Sequence, residues 1–175
     1  APPVTGSGFY SSLDIDIQAA GESAFGTREG ALVAMDVRTG EVLAMVSRPD
    51  YDLNDLTPFI SRDTFRDIED RGAWINRALQ GLYPPGWTYK LLPAIAALRA
   101  GIITPETGID CPGFHTAGGR RFPCHRRSGH GPQRLADAIR QSCNVYFYKI
   151  SLEMGIDTLA TESRRFGLHA PTGID

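Results

Sequence analysis

Tyr83-Pro84-Pro85-Gly86-Trp87-Thr88-Tyr89-Lys90 runs directly into an apolar stretch, Leu91 to Leu98. The two prolines and the glycine interrupt any preceding element. Leu91, Leu92, Ile95, Ala96 and Leu98 then recur at helical spacing and stop at Gly101, which predicts a buried helix over 88–100 with a glycine stop. Pro93 falls in its first turns, where a missing N–H is tolerated. The stretch has the shape of a Ser-x-x-Lys element with Trp87 where the serine would stand. An indole has no oxygen with which to attack a carbonyl, and its N–H only donates. Of the eighteen lysines and arginines only Lys90 and Lys149 are lysines. Burial can free a lysine amine for base chemistry, whereas arginine stays charged. Lys90 therefore reads either as a retained base or as a solvated helix lysine.

Upstream, Ala1 to Ser12 is rich in Pro, Gly and Ser and reads as a linker, residues 1–12. Asp14 to Phe25 carries a weak amphipathic pattern. Leu32–Asp36 and Glu41–Ser47 are apolar runs joined across Val37-Arg38-Thr39-Gly40, a β-hairpin signal. Arg48 to Gly72 is polar and predicts loops with a short helix. Downstream, Pro105 to Arg134 has little periodicity and reads as irregular. Leu135 to Met154 reads as helical, interrupted near Ser142 and ending near Gly155, with a further short helix over 157–166. A hairpin among helices predicts an α+β layered domain.

The three cysteines are Cys111, Cys124 and Cys143, and the irregular segment also holds His115, His125 and His130. Cys111, Cys124, His130 and Cys143 would make a closed Cys3His set for structural zinc, Zn2+. Loop 105–144 has few apolar residues to bury, so a metal clip would staple it. Two other readings stay open: a disulfide plus one free thiol, and Cys143 as a small buried hydrophobe. His115 and His125 read as solvated loop residues.

A net charge of −2 and a pI near 6.1 argue against nucleic acid as a partner. No apolar run approaches the roughly 20 residues of a membrane span, and no signal peptide opens the chain.

Several blocks, in order, carry a family resemblance. They are Gly30 to Asp36, Thr39 to Ser47, Asn76-Arg77-Ala78-Leu79-Gln80-Gly81, the Tyr-Pro-Pro-Gly lead-in, Gly129-His130-Gly131, Ser142-Cys143-Asn144 and Tyr146-Phe147-Tyr148. Ser-x-x-Lys, a Ser-x-Asn-type triplet and Lys-Thr-Gly are the three elements of penicillin-binding proteins and related β-lactamases. From about Leu13 to Asp175 the chain resembles the transpeptidase domain of class B penicillin-binding proteins, of the elongation type called penicillin-binding protein 2. The departures are Trp87 at the serine position and the lack of any Lys-Thr-Gly.

The resemblance implies the N-terminal part of a transpeptidase domain over 13–175: a β-hairpin of an antiparallel sheet plus a helical lobe. It implies a periplasmic location, with a membrane anchor in the full-length protein. It implies Lys90 as base, Ser142 as proton relay, Asn144 as a hydrogen-bonder to a peptidoglycan stem peptide, and Trp87 as a degenerate nucleophile position. It also places zinc on Cys111, Cys124, His130 and Cys143. Partners would be the stem peptide in intact relatives and elongation-machinery membrane proteins in full-length ones. Only two strands are visible in the sequence, and an unpaired strand edge predicts a homo-oligomer of this chain. Two functions compete: a peptidoglycan D,D-transpeptidase domain inactive in this chain, and a non-catalytic zinc-binding pseudoenzyme scaffold. A β-lactam sensor or hydrolase is a weaker third reading, and it too needs the serine.

Overall fold

A computed structural model of the chain describes residues 6–174. Residues 1–5 of the expected linker and the last residue of the expected 13–175 domain lie outside them. The fold is α+β, as the hairpin among helices predicts. It divides into two compact units, one ending at Tyr83 and one spanning Pro84–Ile174.

In the first unit, residues 6–14 have no regular structure. Helix α1, Ile15–Phe25, starts where the Asp14 carboxylate accepts the N–H groups of Asp16 and Ile17 at 3.0 Å each. Strands β1, Gly30–Met35, and β2, Val42–Arg48, pair antiparallel with an irregularity at Ala34/Met35. Helix α1 lies on β2 through Gly21, where an added Cβ would sit 3.1 Å from Val46. A small residue is required there by close approach. The outer edge of β2 is covered by polar groups. The Gln18 amide donates to Met45 O at 3.0 Å and accepts from Met45 N at 2.8 Å, so a side chain stands in for a neighbouring strand. Asp14 N donates to Leu43 O at 2.8 Å, and Ser12 Oγ donates to Val42 O at 2.7 Å. Among the described residues no strand pairs with the outer edge of β1. Helix α2, Arg62–Asp70, capped by Ser61, is the short helix expected in the polar stretch, and α3, Arg77–Gln80, follows it.

The second unit opens with a tight 3-10 turn, Gly86–Lys90, continuing into α4, Leu91–Arg99. The segment expected to be irregular contains four short strands: β3 Ile109–Cys111, β4 Phe114–Ala117, β5 Arg120–Pro123 and β6 Gly131–Gln133. They pair as β3–β6 and β4–β5. Strands of three or four residues leave too short a period-2 pattern to read in sequence. Helix α5, Leu135–Arg140, ends at the expected interruption, and α6 spans Asn144–Arg165. Gly155, expected as a stop, is non-helical within α6 at φ 76° and joins two helical runs. The core is formed by Ala94, Ala97, Ile103, Val145, Tyr146, Phe147 and Ile150 with the three cysteines. Fully buried Tyr146 satisfies its hydroxyl on Thr107 O at 3.1 Å. No helix among the described residues is long and apolar enough to cross a membrane.

Candidate active site and thiol–imidazole cluster

Both groups of residues singled out in sequence lie in the second unit, and one turn holds them together. Helix α5 ends with Ser142 N–H on Ile139 O at 3.1 Å and Cys143 N–H on Ala138 O at 2.9 Å. This is the paired bonding of a Schellman end, which needs a left-handed residue. Ser142 fills that place at φ 52°, the one non-glycine residue at positive φ among the described residues. A side chain at this φ is strained. The turn directs the Ser142 side chain to one group and the Cys143 thiol to the other.

Lys90 comes off the end of the 3-10 turn. Its Nζ donates to Ser142 Oγ at 2.7 Å, to Ser142 O at 2.7 Å and to Asn144 Oδ1 at 2.6 Å. A charged ammonium has three donors for these three acceptors. A neutral amine would give up one donor and accept the Ser142 hydroxyl proton. The pair can therefore hold one proton on either Lys90 Nζ or Ser142 Oγ. Burial lowers the Lys90 pKa, against the opposing electrostatic pull of Cys124 and Cys143. Asn144 Nδ2 reaches Pro123 O at 3.5 Å, which orients its amide.

Trp87 lies three residues before Lys90 on the same turn. It is about half exposed, and its Nε1 donates to Ile139 O at 3.2 Å. That carbonyl also accepts from Ser142 N–H, so the indole is tied to the end of α5. It presents no nucleophilic atom.

The second group brings together Cys111, Cys124, His130 and Cys143, their ligand atoms all within 4.8 Å of one another. Cys111 Sγ and Cys124 Sγ each lie 3.6 Å from His130 Nδ1. Sulfur and nitrogen on a tetrahedral zinc at normal bond lengths stand about 3.6 Å apart, so the donor set fits that ion. The three thiols are buried and unbridged, unlike the disulfide alternative. His115 is in β4, outside the set. His125 packs tilted against the His130 ring at 5.0 Å between centroids but is also outside it.

Two glycines make the cluster geometrically accessible. Gly113 and Gly129 cross at φ 95° and 83°, where a Cβ on either would collide with the other segment's backbone. Beside the crossing, Cys124 N–H bonds Gly113 O at 2.8 Å and His130 N–H bonds Cys111 O at 3.0 Å. Sequence reasoning named these four residues but not this crossing, although Cys-Pro-Gly and Gly-His-Gly were its signal.

Burial pushes the Cys143 thiol up to about 12. At Cys124 burial also raises the pKa, but the backbone N–H groups of Val145, Asn144 and Arg126 outweigh it and leave the thiol below its usual value. Two of these donors belong to the first turn of α6, whose end favours a thiolate. Burial also lowers the His130 pKa, keeping its imidazole neutral as a ligand must be.

A lysine bound to a Ser-x-Asn turn, on a helical unit that also carries a Ser-x-x-Lys-like turn, is the plan of a serine acyl-transfer domain. Residues 30–175 match the family described as penicillin binding protein transpeptidase domain, and the chain belongs to that family. It is 38% identical over 177 residues to the peptidoglycan D,D-transpeptidase MrdA of Acinetobacter baumannii, covering 99% of this chain and 26% of that relative. Among solved structures it is similar to Pseudomonas aeruginosa PBP2 in complex with WCK 5153, with TM-score 0.84 and 39% identity over 89% of this chain and 35% of that one. It is also similar to PBP2 of Helicobacter pylori in its complex with MreC, with TM-score 0.82 and 36% identity over 87% of this chain and 29% of that one. The chain thus spans about a quarter to a third of the length of these relatives.

The lowered Lys90 pKa has a measurable sign. The charged form is the disfavoured one in the fold, so the amine loses its proton at lower pH than an ordinary lysine. The side-chain Nζ resonance of Lys90 is expected to titrate below the ordinary lysine value. Unfolding in urea should return it to that value. A Lys90 signal that titrates at or above the ordinary value in the folded chain contradicts this reading.

Proposed function

We propose that this chain is part of a peptidoglycan D,D-transpeptidase domain of the penicillin-binding protein 2 type, with the cross-linking chemistry disabled at Trp87. The observation that carries the reading is the contact of Lys90 Nζ with Ser142 Oγ and Asn144 Oδ1. In this reading an attacking hydroxyl at position 87 would give its proton to the Lys90–Ser142 pair, and Asn144 would hold the peptide amide of a stem peptide ending in D-Ala–D-Ala. With an indole at 87 no acyl-enzyme forms. Loss of a nucleophile costs about a millionfold in rate even when its partners remain. The periplasm, with a membrane anchor in the full-length protein, is the location this reading requires.

Fluorescent penicillin is expected to leave no label on this chain that survives denaturation, and a label would overturn the inactivity. Trp87→Ser should take up a slow label that Trp87→Ser/Lys90→Met loses. Turnover of a D-Ala–D-Ala peptide should stay near background, since no Lys-Thr-Gly is present in the sequence. Absence of any label on Trp87→Ser in prolonged excess would remove the acyl-enzyme reading of this site.

A non-catalytic scaffold is the second reading. It is favoured by one observation, the engagement of Trp87 Nε1 with Ile139 O. Under it Trp87→Ala destabilises the chain and Trp87→Ser acquires no label.

In both readings Cys111, Cys124, His130 and Cys143 would hold a structural zinc ion, whose chemistry is to cross-link loop 105–144. Because burial raises the Cys143 thiol, metal uptake must expel its proton, so affinity should rise with pH and fall as pH drops. About one zinc per chain is expected. Cys124→Ser and His130→Ala should each lower metal content, whereas His115→Ala and His125→Ala should not. Elemental analysis finding no zinc, or loss only in the last two variants, refutes the assignment.

The Helicobacter pylori relative was solved with MreC. By extension, elongation-machinery membrane proteins are the partners proposed for the full-length protein. For this chain alone, the outer edge of β1 makes a second copy the proposed partner. Light scattering should find dimers at high concentration, and a strict monomer rejects the pairing.

A further inference from the structure

Strands β4 and β5 form a ribbon with two different faces. His115, Ala117 and Phe122 point to an apolar groove against Tyr148, Leu152 and Ile156 of α6. By alternation Phe114, Arg121 and Pro123 lie on the opposite face. There they line a separate cavity of about 310 Å³ with Gly113 and Arg127. Two arginines, Arg121 and Arg127, thus line one small concavity.

The surrounding segment of sequence offers them no acidic partner. From Cys111 to Ala136 the chain has five arginines, Arg120, Arg121, Arg126, Arg127 and Arg134, and no Asp or Glu. Arg134 pairs with Glu106 at 2.8 Å. Among the described residues neither Arg121 nor Arg127 enters an ion pair. In a chain of net charge −2 this is a local excess of positive charge.

The cavity is also held in shape. The Arg121 guanidinium lies face-on over the Phe114 ring, 3.6 Å from its centroid. Packing on the ring restrains the Arg121 side chain, and a guanidinium can receive an oxyanion in a bidentate fork. Arg127 is anchored through its backbone, whose carbonyl abuts Gly113 at the glycine crossing. Pro123, a wall of the cavity, receives the Asn144 amide through its carbonyl at 3.5 Å. The cavity is therefore one residue contact away from the Lys90–Ser142–Asn144 group.

We propose that Arg121 and Arg127 form an anion subsite that takes a side-chain carboxylate of an acidic peptide. A peptide is favoured over a membrane surface because the arginines line a concavity, beside an asparagine able to hold a peptide amide. That the peptide is a stem peptide rests on the transpeptidase reading; the anion site itself does not.

The test follows the arginine Nε–H signals of the intact, metal-replete chain by NMR. Two synthetic pentapeptides ending in D-Ala–D-Ala are titrated, identical except for one Glu replaced by Gln. The Glu peptide should shift the Arg121 and Arg127 signals and bind about fivefold more tightly than its twin. Arg127→Gln should remove that preference. Arg121→Lys, which keeps the charge but loses the fork, should weaken it, and thermal melts of both variants report that they fold. Equal affinity for the twins overturns the proposal. So does saturation of both signals by inorganic phosphate with no response to the Glu peptide. Sedimentation with phosphatidylglycerol vesicles that depends on both arginines would assign the patch to membrane and also overturn it. Penicillin labelling of Trp87→Ser separates the two readings. A Glu preference without labelling keeps the anion site and removes the transpeptidase reading, and labelling with equal affinities does the reverse.

Discussion

A single left-handed residue organises the second unit. Ser142 at φ 52° closes the end of α5, and the next residue, Cys143, is the N-cap of α6. The turn places a hydroxyl and a carbonyl on Lys90 and sends the following thiol into the cluster of Cys111, Cys124 and His130. Glycine would adopt this φ without strain. It would also remove the Oγ that Lys90 contacts. The conformational cost at Ser142 is offset by two backbone hydrogen bonds at the helix end and by the amine that binds both of its oxygens.

The same geometry explains how the site stays assembled around Trp87. All three donors of Lys90 are taken by Ser142 and Asn144, none by residue 87. The lysine amine is therefore held across 52 residues of sequence by hydrogen bonds to the Ser-x-Asn turn. An indole at position 87 interferes with none of these bonds, and its own N–H finds a carbonyl already exposed at the end of α5. Positioning and nucleophilicity are separate properties of this fold.

The loop from residue 105 to 144 has little apolar material of its own. Its organisation comes from backbone: two short strand pairs, the crossing of Gly113 with Gly129, and the convergence of three thiols and one imidazole. The pKa shifts at Cys124 and Cys143 oppose each other. Burial first, then the neighbouring Cys111 and Cys124 thiols, raise Cys143, while backbone N–H groups, two of them in the first turn of α6, favour a thiolate at Cys124. A cation at the cluster would stabilise both thiolates at once.

Sequence by itself determined much of this protein. The 3.6-residue periodicity located α1, α4 and the helices after residue 135, and the Thr39-Gly40 turn located the hairpin, because each signal is carried by residues close in the chain. Residue type and the family resemblance together named Lys90, Ser142, Asn144, the four metal-ligand candidates and Trp87 at the serine position. Tertiary structure decided the rest. It made four short strands from a segment with no periodic pattern, because β3 pairs with β6 across the loop that the glycine crossing closes. It also set a carbonyl of α5 on Trp87, the Gln18 amide on the edge of β2, and Arg121 and Arg127 around one cavity. Those contacts join residues whose spacing in the chain has no period, so only the folded backbone could bring them together.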